Sequence, residues 1–104
     1  MQFTKSIFMY ARGEEVVSMQ DLLSSLNEEY NFTNRKIEST GYFGFDTVHI
    51  VRDFQNFFGL PPSGAFDYQT WFTAETKYGD MIRNLQKQSP PSKPEPKWAN
   101  QRKW

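Results

Sequence analysis

Apolar residues near the N-terminus follow a period of two, which is the spacing of an extended chain. This pattern predicts a short strand or an extended docking arm over residues 1–13, and Gly13 breaks the pattern. The residues on one side of the arm are Phe3, Ile7 and Met9, and those on the other side are Phe8 and Tyr10.

From Glu14 onward the apolar spacing becomes that of a helix with one buried stripe. Glu14 opens the first turn, where the helix dipole favours negative charge. The helix is expected to end in the polar residues 27–34, and Ile37 is the expected inward residue of a loop over residues 31–40. The stripe consists of Val16, Met19, Leu23, Leu26 and Tyr30.

A second helix is predicted to begin at Asp46 or Thr47, because either side chain can accept a hydrogen bond from a free backbone N–H. Gly59 is placed to end this helix in the left-handed conformation. The turn residues Pro61 and Pro62 follow. The predicted buried stripe is Val48, Val51, Phe54 and Phe58, flanked by Ile50 and Phe57.

A third helix is predicted after Asp67, which is a good N-cap residue. Its inward residues are expected to be Trp71, Ala74 and Tyr78. Gly79 and Asp80 are expected to stop this helix, with Asp80 capping one or two further helical turns.

One pattern, G-x-F-x-x-x-T, occurs twice in the chain. The first copy begins at Gly41 and the second at Gly64, 23 residues later, and each copy leads into a predicted helix. Glycine permits turn geometry that other residues resist, the phenylalanine anchors the turn to the core, and the threonine closes the helix start. We therefore expect these positions to be structural, and any function to lie in the loop surface that they fix.

Several motifs together resemble the peptidoglycan-binding domain family, whose members are small three-helix modules found beside cell-wall hydrolases. These motifs are V-x-x-M-Q-x-x-L from Val16, F-Q-x-x-x-G-L from Phe54 and the doubled G…T pattern, and the likeness covers about residues 12–79. With the helical spacing, it implies an all-α fold, a three-helix bundle with an N-terminal extended arm and a Pro-rich C-terminal tail. The predicted units are the arm (1–13), the helical domain (14–88) and the basic tail (89–104).

The function that the resemblance implies is non-catalytic binding of peptidoglycan. Aromatic side chains on loops suit such a ligand, because a flat ring stacks on the apolar face of a pyranose and also on peptides. Gln55 is expected to be a structural hydrogen-bonding residue, and Trp71 a core residue. The candidate ligand-binding residues lie on or beside the two copies of the repeat and are Tyr42, Phe45, Asp46, Tyr68 and Gln69.

The composition argues against catalysis and against metal binding. The formal net charge is 0, cysteine is absent, and His49 is the single histidine, on the polar face of the second helix. One histidine without cysteine does not supply the ligands of a zinc site. The glutamate pairs at residues 14–15 and 28–29 are interpreted as solvated charge, and no nucleophile–base pair or phosphate-binding loop is present. We therefore expect no enzyme activity, no metal and no cofactor.

The tail over residues 89–104 holds four of the six prolines, four basic residues and one acidic residue, for a balance of +3. Its prolines favour an extended chain. Tryptophan is enriched at protein interfaces, so Trp98 and Trp104 are candidates for docking onto another protein. The alternatives are plain disorder or a weak, salt-sensitive contact with nucleic acid. Since no nucleic-acid-binding fold accompanies the tail, nucleic acid is not an expected partner.

The expected location is a virion or the extracellular cell wall. No apolar run approaches the length of a membrane span, and the apolar residues after Lys5 are too few for a signal peptide, so we expect none. Two settings fit. The chain is either a structural component of a bacteriophage particle, with arm and tail docked to other structural proteins, or an accessory of a wall hydrolase.

The alternative function is that of an assembly protein that keeps the fold but binds only protein partners through its arm and tail. Thr40, where the family usually has Asp, favours this alternative, as do the two tryptophans of the tail. The intact pair of G…T loops favours wall binding instead.

Overall fold

The computed structural model describes residues 1–88 of the chain. Over this part the fold is all-α with three helices, as the sequence predicts, and the extended backbone forms just two isolated antiparallel bridges. The predicted docking residues Trp98 and Trp104 lie outside the described residues. The helices are α1 (Glu14–Tyr30), α2 (Phe45–Phe57) and α3 (Tyr68–Gln88).

Helix α1 packs against α3 and buries most of its predicted stripe. Tyr30, at its end, is half-buried and meets Phe58 edge to face, with ring centroids 5.4 Å apart. This burial raises the pKa of the Tyr30 phenol, and the carboxylates of Asp80 and Glu29 raise it further. The predicted stripe is therefore confirmed, with its last residue at the margin of the core.

Helix α2 begins at Phe45, one residue before the predicted start, and neither Asp46 nor Thr47 caps it. Gly44 occupies the cap position, and no side chain there accepts a hydrogen bond from the free N–H groups. The Thr47 hydroxyl is instead buried and accepts a hydrogen bond from Nε2 of Gln20 at 3.2 Å. The predicted cap was wrong because a partner distant in sequence engages this hydroxyl.

Helix α2 ends as predicted. Its last residue is Phe57, and Gly59 then adopts a left-handed conformation with φ of +74°. The N–H of Leu60 donates to the carbonyl of Gln55 at 2.7 Å, which satisfies one of the free carbonyls at the helix end. Phe54, the centre of the predicted stripe, is fully buried.

Helix α3 is longer than predicted. Asp67 caps it, since its Oδ1 accepts from the N–H of Thr70 at 3.0 Å and from the Thr70 hydroxyl at 2.7 Å. However, the helix continues through Gly79 and Asp80, and Asp80 pairs with Arg83 one turn further along. A glycine inside a helix costs about 1 kcal/mol relative to alanine but can still adopt helical backbone angles, so Gly79 does not end the helix.

The loop over residues 31–40 is anchored by Phe32, not by Ile37. Phe32 is 7% exposed and packs edge to face on Phe54, with ring centroids 5.2 Å apart. Ile37 is half-buried against the core. The prediction was wrong because Phe32 directly follows a polar helix end, where the local pattern gives no indication of a buried ring.

The arm over residues 1–13 pairs its backbone with both copies of the repeat. The N–H and carbonyl of Ile7 bond to the carbonyl and N–H of Phe66 at 3.1 and 2.9 Å. Nearer to α1, the carbonyl of Phe43 accepts from the N–H of Tyr10 at 2.7 Å, and its N–H donates to the carbonyl of Ala11 at 2.9 Å. The arm therefore joins the two repeat phenylalanines, which are themselves 23 residues apart.

The predicted alternation of the arm is confirmed by burial. Ile7 is buried within the helical core, whereas Phe8 and Tyr10 are 60% and 63% exposed. Phe8 and Ala11 close a turn through a backbone hydrogen bond of 3.1 Å, and Tyr10 within it has a φ of +79°. A bulky residue rarely adopts this conformation, so the turn holds the Tyr10 ring out at a cost in backbone strain.

Candidate functional site

The first copy of the repeat is held by one buried side chain, Gln20 of α1. Its Oε1 accepts a hydrogen bond from the N–H of Gly41 at 2.9 Å. Its Nε2 donates to the Thr47 hydroxyl at 3.2 Å and to the Tyr42 carbonyl at 3.1 Å, with the Thr40 hydroxyl as a third acceptor at 3.4 Å. The amide group carries two hydrogens, so these three acceptors share them.

The second copy is held in the same way by Gln55 of α2. Its Oε1 accepts from the N–H of Gly64 at 3.0 Å. Its Nε2 donates to the Thr70 hydroxyl at 2.8 Å, to the Ala65 carbonyl at 3.0 Å and to the Ser63 hydroxyl at 3.1 Å. Each of these partners lies 23 residues after its counterpart in the first copy.

The repeat is thus a structural frame built around two glutamines. The structural role expected for Gln55 is confirmed, while the matching role of Gln20 was missed by sequence reasoning. One sequence feature could have predicted the role of Gln20. On each helix a buried apolar residue directly precedes the glutamine, as Met19-Gln20 on α1 and Phe54-Gln55 on α2. The repeat glycines have φ of +80° and +81°, which only glycine adopts without strain.

The first copy borders a surface groove of about 350 Å³ between α1, the loop over residues 31–40 and the start of α2. Three of the five predicted ligand-binding residues, Tyr42, Phe45 and Asp46, line this groove. The other residues that line it are Gln20, Lys36, Glu38, Thr40, Gly44, Thr47 and Ile50.

The groove offers one open aromatic ring and charges of both signs. Phe45 is 67% exposed, so its ring is available for stacking. Lys36 and Glu38 form an exposed ion pair at 3.5 Å, and Asp46 is exposed as well. Such a surface suits a ligand that carries both apolar faces and charged groups.

Tyr42 forms part of the wall of the groove, and its ring is less accessible than that of Phe45. The guanidinium of Arg12 lies over the Tyr42 ring, 4.3 Å from its centroid. Gly44 lies beside the same ring, since a Cβ at residue 44 would be 3.1 Å from Cε2 of Tyr42. One face of Tyr42 is therefore covered by Arg12, and Phe45 is the more exposed of the two rings that line this groove.

The other two predicted residues, Tyr68 and Gln69, are exposed at the start of α3 and do not line this groove. The Tyr68 ring instead contacts three other aromatic rings, with centroid distances of 5.2 Å to Phe3, 5.6 Å to Trp71 and 6.1 Å to Phe72. We call these four residues the aromatic patch. The structure thus separates the predicted site residues, with three at the groove, Tyr68 in the aromatic patch and Gln69 in neither.

Sequence reasoning missed two members of this patch, Phe3 and Phe72. Phe72 is 55% exposed and Phe3 is half-buried. Trp71, predicted as a core residue, is only partly buried, and its Nε1 donates to the carbonyl of Met1 at 2.8 Å. The sequence could not predict that Phe3 joins this patch, because the fold of the arm brings it to a helix more than 60 residues away.

Comparison with known proteins establishes the family. The profile of the peptidoglycan binding domain matches residues 12–72, which include α1, α2 and both copies of the repeat. The chain belongs to the peptidoglycan-binding domain family. Among solved structures, the domain is similar to the crystal structure of the SleB N-terminal domain, with a TM-score of 0.59 and 29% identity over 72% of this chain and 96% of that one. No curated protein matches.

The family match confirms the resemblance inferred from the motifs. It also associates the domain with the bacterial cell wall. The groove falls wholly within the matched segment, as does Tyr68 of the aromatic patch. Ile7, by contrast, precedes the match although it belongs to the core. The domain therefore completes its core with an arm that lies mostly outside the matched segment.

The remaining candidate features do not form a second chemical centre in residues 1–88. His49 is exposed on α2, as predicted. Over the described residues, no three side chains of His, Cys, Asp or Glu gather where they could hold a metal ion. None of the three helices combines the length and the apolar character needed to cross a bilayer.

Proposed function

We propose that this domain binds peptidoglycan without cleaving it, and that the groove beside the first copy of the repeat is its principal binding site. The observation that carries the proposal is the exposed Phe45 ring next to the charged groups of Lys36, Glu38 and Asp46. Peptidoglycan joins sugar rings to short peptides with amino and carboxylate groups. An aromatic plane with charges of both signs matches both parts of that polymer.

The state of the carboxylates in the groove supports binding and not hydrolysis. A general acid in glycoside cleavage is a carboxyl group sheltered from water beside a second carboxylate. Glu38 and Asp46 are both exposed, and Glu38 pairs with Lys36. The groove therefore has no sheltered acid of the kind that glycoside cleavage uses, and we expect it to hold the glycan without cutting it.

Co-sedimentation of the full chain with purified bacterial sacculi tests the proposal. We expect the wild type to bind and Phe45→Ala to bind about five-fold or more weakly, because a stacking ring at the centre of a site typically contributes over 1 kcal/mol. Phe57→Ala is the matched control, since Phe57 lies on the same helix, is 51% exposed and does not line the groove. Thermal unfolding of both variants shows whether the fold is kept.

Two outcomes would contradict the proposal. Equal binding by Phe45→Ala and the wild type would remove the groove as the binding site. Failure of the wild type to bind any sacculi would remove peptidoglycan binding itself, and it would favour the alternative of an assembly protein that uses the same fold to bind protein.

We also propose two settings in which the domain would act: as a component of a phage particle, or as an accessory of a wall hydrolase. The exposed rings of Phe8 and Tyr10 on the arm support a contact with a neighbouring protein in either setting. Mass spectrometry of purified virions from producing cells separates the two. Detection of the chain in the particles supports the first, and its co-purification with a hydrolase supports the second.

A further inference from the structure

Phe45 and Tyr68 occupy the same position in the two copies of the repeat. They are 23 residues apart, and each is the first residue of its helix. Both rings are largely exposed, at 67% and 55%. The next residue is an exposed polar one in each case, Asp46 in the first copy and Gln69 in the second.

This correspondence holds in three dimensions as well as in sequence. Gln20 and Gln55 fix the two helix starts through the same set of hydrogen bonds. The backbone that carries Phe45 therefore has the same glutamine support as the backbone that carries Tyr68, although Asp67 also caps α3 and no side chain caps α2. A ring that serves the groove in the first copy has a structural equivalent in the second.

We propose that the aromatic patch of Phe3, Tyr68, Trp71 and Phe72 is a second carbohydrate-binding subsite, which stacks on sugar rings of a glycan strand. The inference rests on the proposed function, because it assigns a further part of the same polymer to a second surface. The rings of Tyr68 and Phe72 are inclined by only 23° with centroids 6.1 Å apart, and both are 55% exposed. The two rings stack on each other, and because more than half of each residue is exposed, the pair still presents apolar ring surface to a ligand.

The chemistry of the patch favours glycan over the peptide part of peptidoglycan. Its four rings carry no formal charge, whereas the groove holds Lys36, Glu38 and Asp46. A pyranose ring offers an apolar face of C–H groups, and desolvation of that face against an aromatic ring is favourable. The charged ends of stem peptides find partners in the groove instead.

The patch is also held in place before any ligand arrives. Phe3 packs on Tyr68 and on Trp71, with centroid distances of 5.2 and 5.5 Å, and the Trp71 indole is bonded to the carbonyl of Met1. Side chains that are ordered in the free protein lose little conformational entropy on binding. The arm therefore contributes to this subsite by fixing its rings.

Two subsites on one domain strengthen the binding of a polymer. Once one subsite is occupied, the second meets a tethered part of the ligand at high effective concentration. Loss of either subsite is then expected to weaken binding to sacculi, because the gain from the tethered second contact is lost with it.

A titration of the ¹⁵N-labelled full chain with a β-1,4-linked N-acetylglucosamine tetramer tests the inference by NMR. We expect chemical-shift changes at the amides of Tyr68 and Phe72 and at the Trp71 indole N–H. Tyr68→Ala should weaken tetramer binding at the patch about ten-fold, since one stacking contact is removed. Tyr68→Phe should bind like the wild type because the ring is kept.

Phe57→Ala again serves as the control for loss of an exposed ring, and Phe72→Ala is a second variant should Tyr68→Ala fail to fold. Absence of shifts at the patch, or shifts confined to the groove, would overturn the inference. So would full sacculus binding by a folded Tyr68→Ala variant. That last result, together with weak binding by Phe45→Ala, would leave the proposed function standing. Failure of the wild type to bind sacculi would overturn both.

Discussion

Gln20 of α1 and Gln55 of α2 hold two loops through matching partners that are offset by 23 residues. Both amides are buried, at 2% and 0% exposure. A buried amide is stable only where its hydrogen-bonding groups find partners, so each glutamine and its loop specify each other. The two helix starts that carry the exposed Phe45 and Tyr68 are consequences of this pairing.

Replacement of Gln55 by Ala is expected to destabilise the domain by about 2–4 kcal/mol, because it leaves the N–H of Gly64 and the Thr70 hydroxyl buried without their partner. Gln20→Ala should act in the same direction through Gly41 and Thr47. Urea unfolding followed by circular dichroism measures both changes.

Gln69→Ala provides the control for these variants, since Gln69 is an exposed glutamine on α3. Its expected effect is within about 0.5 kcal/mol. If Gln55→Ala were as stable as Gln69→Ala, the hydrogen-bond network would not be what holds the second loop.

Ile7→Ala is expected to cost about 2–4 kcal/mol, because Ile7 is 6% exposed and its loss leaves a cavity in the core. Phe8→Ala removes a larger side chain from the next position, but that ring is 60% exposed, so little change is expected. Chemical denaturation of the two variants compares the two sides of the arm directly. A smaller effect for Ile7→Ala than for Phe8→Ala would mean that the arm does not pack on the helices.

Gly44→Asp would supply the cap that α2 lacks and that Asp67 gives to α3. Relative to the glycine now at this position, such a cap is worth only a few tenths of a kcal/mol. With Tyr42 present, this gain in stability is opposed, because a Cβ at residue 44 would lie 3.1 Å from the ring of Tyr42. With Tyr42→Ala in place the full gain should appear. Urea unfolding of the two single variants and the double variant gives the coupling between the sites. Additive effects would show that the two residues do not interfere.

Phe54→Ala is expected to cost about 3–5 kcal/mol, because Phe54 is fully buried and packs on both Phe32 and Phe58. Phe57→Ala, three residues later on the same helix, removes a ring that is 51% exposed and should cost far less. Thermal melting of both variants shows which of the two is less stable. A loss below about 1 kcal/mol for Phe54→Ala would show that the buried face of α2 had been misassigned.

Much of the fold follows from local sequence. Apolar residues spaced for one helical face placed α1 and α2, and Asp67 and Gly59 marked a helix start and a helix end correctly. The family was accessible because the motifs combine with the doubled G-x-F-x-x-x-T pattern. Each of these signals depends on short stretches of the chain, so it can be identified from the sequence alone.

One error arose where a distant partner decided the structure, and another where a local signal for a helix end was too weak to end the helix. Thr47 is a good capping residue by type, but Gln20 engages its hydroxyl, so α2 begins earlier. Gly79 and Asp80 are typical of a helix end, but α3 continues past them. Local preference amounts to about 1 kcal/mol at such positions, so it does not by itself fix where a helix begins or ends.

The sequence by itself determined the three helices, the repeated frame and the aromatic character of the exposed helix starts. The tertiary structure alone decided that the arm joins Phe43 to Phe66, and that Phe3 completes the aromatic patch. It also separated the predicted site residues, with Phe45 in the groove and Tyr68 in the patch, while Gln69 lies in neither. The physical reason is that side-chain periodicity is a local property, whereas backbone pairing and ring packing join residues far apart in the chain.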